Sequence, residues 1–98
     1  MIVVRFKVRC RPERIEQALA LFREIVAASR PLDGVMSFDI GRDITDPDTF
    51  IATEVFEDRA TLDRQESLPP TKKTIDLLDD LLVAAPEQTV FEVLASEP

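Results

Sequence analysis

The stretch Gly34–Asp58, GVMSFDIGRDITDPDTFIATEVFED, decides the fold. Two runs rich in Val, Ile, Phe and Thr flank Thr45-Asp46-Pro47-Asp48, where proline presets φ for a turn and the aspartates can bond nearby backbone N–H groups. The stretch therefore reads as a β-hairpin, with strands near Val35–Arg42 and Phe50–Phe56. Side chains alternate along a strand, so Glu54 and Phe56 share one face. A carboxylate beside bulky apolar groups is either an ion-pair partner or the charged wall of a ligand pocket.

Upstream, IVVRFKVR (residues 2 to 9) alternates as a first strand, with Val4, Phe6 and Val8 on one side and Arg5, Lys7 and Arg9 on the other. Three cations on one face need carboxylates nearby, and Glu54 and Glu92 on flanking strands are the candidates. Pro12 suits the first turn of a helix. Ile15, Ala18, Leu19, Phe22, Ile25 and Val26 then recur at helical spacing as far as about Ser29, and Pro31 and Gly34 end the helix.

Downstream, Asp58 is placed to cap a short helix carrying Ala60, Leu62 and Gln65, which the Pro69-Pro70 pair should break. A further helix from Thr71 to about Val83 presents Ile75, Leu78 and Leu82, with Leu77 and Leu81 beside them. Asp76, Asp79 and Asp80 fall on its watery side, a solvated face rather than a metal site. TVFEVL (residues 89 to 94) is the last strand, and the terminal residues 95 to 98 are expected to fray. The order strand, helix, strand, strand, helix, strand predicts one α+β domain over residues 1–98, a ferredoxin-like antiparallel sheet with helices on one face. The other face carries enough apolar surface to need cover, so a homodimer formed sheet to sheet is expected.

Composition narrows the chemistry. The formal net charge of −7 and the scattered cations disfavour nucleic acid and anionic membrane surfaces as partners. The apolar run before Arg5 is too short for a signal peptide or a membrane span, and the lone Cys10 needs no oxidising compartment, so a cytoplasmic location is expected. With no histidine, the histidine triads, zinc hydrolase sites and histidine-ligated haem are excluded. Two glycines cannot form a Gly-rich phosphate loop. No metal or cofactor is expected.

The longer run GVMSFDIGRDITDPDTFIATEVFEDRATLDRQ resembles the antibiotic biosynthesis monooxygenase domain family. The shared features are the Asp-Pro turn, the Glu54-x-Phe56 pair, the helix starting at Asp58, and Phe91-Glu92-Val93 at the end. The resemblance implies a dimeric α+β barrel with an apolar pocket between sheet and helices. It also implies activities that include cofactor-independent oxygenation of quinols and polyketide phenols, and haem degradation. Many relatives carry histidine at the position of Gln65 and tryptophan at that of Phe56. Haem-degrading relatives depend on Asn, Trp and His, none of which this chain contains.

A cofactor-free oxygenase must supply a base, a cation for the substrate anion and a dry cavity. Glu54 is the candidate base, Arg5 its catalytic partner on the neighbouring strand, and Phe38, Arg42, Phe56 and Gln65 the candidate substrate contacts. The expected ligand is a small hydrophobic phenol, hydroquinone or polyketide-like aromatic. The competing expectation is a non-catalytic dimeric barrel that binds a small apolar ligand or a protein partner, with Glu54 and Glu92 merely neutralising strand-one cations.

Overall fold

A computed structural model describes residues 1–94. Four strands form one antiparallel sheet: β1 (Ile2–Arg9), β2 (Val35–Asp43), β3 (Asp46–Phe56) and β4 (Glu87–Glu92), in the order β2-β3-β1-β4. Helices α1 (Ile15–Ser29), α2 (Arg59–Glu66) and α3 (Pro69–Leu81) complete the ferredoxin-like α+β arrangement. Ile2, Val4 and Val8 of β1 are buried with Phe38, Phe50 and Phe56 of the hairpin, and Ala18, Leu21, Phe22 and Ile25 of α1 close over them. Two edge-to-face ring pairs, Phe22–Phe50 at 5.3 Å and Phe38–Phe56 at 6.5 Å, order this core. The outer face, with Val3, Arg5 and Lys7 of β1, is not covered by a helix. No described helix is long and apolar enough to cross a membrane.

The hairpin turns earlier than its proline suggests. The chain reverses at Ile44-Thr45, and Pro47 lies inside β3. Asp43 Oδ1 accepts from Thr45 N at 2.8 Å and Thr45 Oγ1 at 2.7 Å, which closes the turn. Asp46 repeats the device with Asp48 N and Thr49 Oγ1. Both carboxyls are held below the usual range, chiefly by these threonine hydroxyls. The register jumps from Arg42↔Phe50 to Asp43↔Asp46, so Pro47 occupies an irregularity where no ladder N–H is required.

Gly34, at φ +90°, joins α1 to β2 in the left-handed region that glycine tolerates. A Cβ there would also collide with the Thr61 side chain. Thr61 is fixed in turn by the α2 cap: Asp58 Oδ1 accepts from Thr61 N at 2.9 Å and Thr61 Oγ1 at 2.8 Å. These bonds, the hydroxyl first, hold the Asp58 carboxyl below its usual range. The hairpin base and the start of α2 are thus one locked unit.

Four expectations need correction. Pro69 and Pro70 begin α3 instead of breaking a helix, because a first turn has no use for their missing N–H groups. The buried stripe of α3 is Thr71, Thr74 and Leu81, while Ile75 is about half exposed. Both threonines can be buried because Thr74 Oγ1 donates to Pro70 O at 3.0 Å and Thr71 Oγ1 accepts from Gln65. Ala60 is exposed, and Thr61, Leu62 and Gln65 form the inner side of α2. The last strand begins two residues early, at Glu87, and all its residues are exposed, Phe91 included; residues 95 to 98 of the expected frayed end lie outside the described residues.

Candidate functional site

Between the inner face of the sheet, α1, α2 and α3 lies a cavity of about 280 Å³. Its apolar wall comes from Phe6, Phe22, Ile25 and Phe38, and its polar wall from Glu54, Gln65, Thr71 and Thr74. Glu54 reaches it because β3 pairs Glu54 with Val4 on one side and Phe38 on the other, all three on the helix-facing side. The residue is only 8% exposed. Burial, and secondarily the charge of Glu66, push its carboxyl up from 4.5 to about 7. No hydrogen bond or cation among the described residues offsets this.

Gln65 is buried behind the same wall. Its Nε2 donates to Ser29 Oγ at 3.1 Å and to Thr71 Oγ1 at 3.2 Å, tying α2 to α1 and α3. Both amide hydrogens are thereby committed, and Oε1 remains as the acceptor of a residue that lines the cavity. Glu66, one residue on, is exposed and forms part of the rim.

The other candidate residues are dispersed. Arg5 lies opposite Thr53 and Thr89 on the outer face, so it is not beside Glu54; one step along a strand reverses the face. The same register removes the expected neutralisation of Arg5, Lys7 and Arg9 by Glu54 and Glu92, since both glutamates fall in register with core-facing residues. Arg9 instead pairs with Asp46, at 3.2 Å. Arg42 shares the inner side but sits at its end: its guanidinium lies 5.1 Å from the Phe50 ring centroid, and its Nε donates to Pro47 O at 2.6 Å. Phe38 lines the cavity, whereas Phe56 is wholly buried in the core behind it.

Arg42 lines a second hollow, an open groove of about 700 Å³ over α1 and β2, together with Arg23 and Arg30. The groove is larger, but it holds no buried polar group. Arg30 is already occupied with Phe38 O and Asp39 Oδ1, both at 2.9 Å. Phe22 and Ile40 belong to both hollows and separate them.

Cys10 is fully buried, and burial raises its thiol pKa, so it is not a nucleophile at neutral pH. No group of three metal-ligating side chains occurs among the described residues. Sequence reasoning missed Thr71, Thr74, Phe6, Phe22 and Glu66. A signal existed for the threonines, which share a helical face with Leu78 and Leu81 at steps of three and four.

Comparison with known proteins agrees with this architecture. A family model described as antibiotic biosynthesis monooxygenase matches residues 1–77. An uncharacterised protein of Synechocystis sp. is 26% identical over 96 residues, covering 98% of this chain. The chain spans 65% of that relative's length. A crystal structure of an antibiotic biosynthesis monooxygenase superposes with a TM-score of 0.88 at 24% identity, covering 97% of this chain and all of the other. Rv0793 from Mycobacterium tuberculosis superposes with a TM-score of 0.90 at 21% identity, covering 99% and 98% of the two chains. These likenesses carry the fold, and the family model, which spans β1, α1, the whole hairpin, α2 and the first part of α3, carries the membership: the chain belongs to the antibiotic biosynthesis monooxygenase family.

Proposed function

We propose that the protein is a cofactor-independent monooxygenase for a small hydrophobic hydroquinone or phenol, with Glu54 as the base. The observation that supports this most is the unpartnered, buried Glu54 carboxylate facing an apolar cavity. A carboxyl with a pKa of about 7 exists at neutral pH in both forms and can take a proton from a bound hydroxyl. The resulting electron-rich ring is itself the reductant of O₂. For a hydroquinone, four electrons pass from the ring to O₂. One oxygen atom stays on a ring carbon, the other leaves as water, and the organic product is a hydroxyquinone. The chain's residues bind the ring and accept the proton at Glu54.

The volume of about 280 Å³ is below the usual range for drug-sized ligands and suits one or two fused rings. A larger polyketide would have to widen the cavity. Val3, Val55 and Phe91 meet in register on the uncovered outer face of the sheet, which supports a homodimer formed through that face. Sedimentation should give a dimer at micromolar concentration.

A second reading is a barrel that binds an aromatic ligand without turnover. It is favoured by the absence of any cation from the described cavity wall and by Gln65 in the place of the histidine many relatives carry. Oxygen uptake with a panel of hydroquinones separates the two. Uptake that Glu54→Gln lowers at least about a hundredfold, within the ordinary range for loss of a general base, supports the enzyme. Ligand-induced rise of the melting temperature with no uptake supports the second reading.

A further inference from the structure

The charged groups of the cavity are all of one sign. Among the described residues its wall carries Glu54 and Glu66 and no lysine or arginine, although the chain has 12 cations. Gln65 also lines it and, with its two amide hydrogens bound to Ser29 and Thr71, keeps only an acceptor to offer. The rest of the lining includes the rings of Phe6, Phe22 and Phe38, which supply apolar surface for an aromatic ligand and no formal charge. Arg23, Arg30 and Arg42 line the neighbouring groove, which shares Phe22 and Ile40 with the cavity. A ligand bringing a carboxylate would place it beside two like charges, with no cation among the described lining residues and only neutral donors, such as the Gln88 amide and the Thr71 hydroxyl, to meet it. A ligand bringing hydroxyls or a protonated amine would satisfy Glu54, a buried residue whose carboxylate has no hydrogen-bond partner among the described residues.

We propose that the cavity selects its substrate by charge, binding hydroxyaromatics that carry a protonated amine most tightly, uncharged ones next and carboxylated ones least, with Glu66 on the rim setting part of the penalty. This rests on the functional reading above in taking the ligand to be aromatic, and it narrows the substrate class to phenols without acidic substituents. Glu66 acts at the rim and takes no part in proton transfer; it is a specificity residue.

The test uses three ring compounds of matched size, 4-hydroxybenzylamine, 4-hydroxybenzyl alcohol and 4-hydroxybenzoate, titrated at pH 8 and followed by amide chemical shifts. Dissociation constants should rise in that order, with the benzoate roughly tenfold or more weaker than the alcohol, the order set by like charges in a medium of effective dielectric about 20. Glu66→Gln, an exposed and structurally mild change, should narrow the benzoate-to-alcohol ratio by roughly threefold or more. Equal or tighter binding of the benzoate overturns the proposal, as does a ratio that Glu66→Gln leaves unchanged, or the absence of saturable binding by both amine and alcohol. The readout is binding alone. A protein that consumes no oxygen but ranks the three ligands in this order would defeat the monooxygenase reading and uphold this one; turnover without the ranking would do the reverse.

Discussion

Two hollows lie back to back across Phe22 and Ile40, and they differ in almost every property that bears on chemistry. The groove is wide, open and rimmed by Arg23, Arg30 and Arg42, side chains that remain in contact with water. The cavity is less than half its volume and buries a carboxylate. Size favours the groove as a binding site, whereas the electrostatic cost favours the cavity. Exposed charges are screened and change little on folding, but an unpaired buried carboxylate is retained at the expense of stability. Such an expense without structural return is what a functional site looks like.

The comparison breaks most completely if its partition is removed. Phe22 packs edge to face on Phe50 and touches both hollows. Phe22→Ala should cost about 3–5 kcal/mol in urea unfolding, and should let the groove arginines approach the cavity, weakening discrimination against carboxylated ligands.

A smaller effect of opposite sign is expected at Glu54. Its folded-state pKa of about 7 exceeds the 4.5 of the unfolded chain, so between those values the folded state holds more protons. Stability therefore falls as pH rises from about 4.5 to about 7 and levels off above it. The difference between the two values amounts to about 3 kcal/mol. Glu54→Gln should abolish this slope and be more stable than the parent at pH 8, while the two differ little at pH 4.5; denaturant melts at the two pH values provide the check.

The groove should yield the smallest change. Arg42→Ala removes one exposed cation–π contact and one hydrogen bond to Pro47, a loss of about 1 kcal/mol in the same melts. Ligand affinity in the cavity should not move.

Much of this was legible in the residues. Alternation in β1 and the Glu54-x-Phe56 spacing placed the hairpin, the sheet and the helix cap at Asp58, because period and capping chemistry are local. Which face Glu54 shares with which strand was not local. Arg5 was expected beside it, yet the register opposes Arg5 to Thr53 and Glu54 to Val4, and a single residue of offset exchanges the faces. Thr71 and Thr74 read as polar and were passed over, since the bonds that let them be buried come from Gln65 and from Pro70, the latter a proline that itself read as a helix breaker. The hairpin turn was displaced for a similar reason. Pro47 is a strong local signal, but the bonds from Asp43 to Thr45 close the chain before it.

Glu54 is an unpartnered carboxyl in a largely apolar cavity. A pH titration of its side-chain carboxyl carbon by NMR measures this directly. The expected midpoint is about 7, moving downward in Glu66→Gln; a midpoint near 4.5 would mean that Glu54 is solvated or paired, and would contradict its place as an unpartnered base.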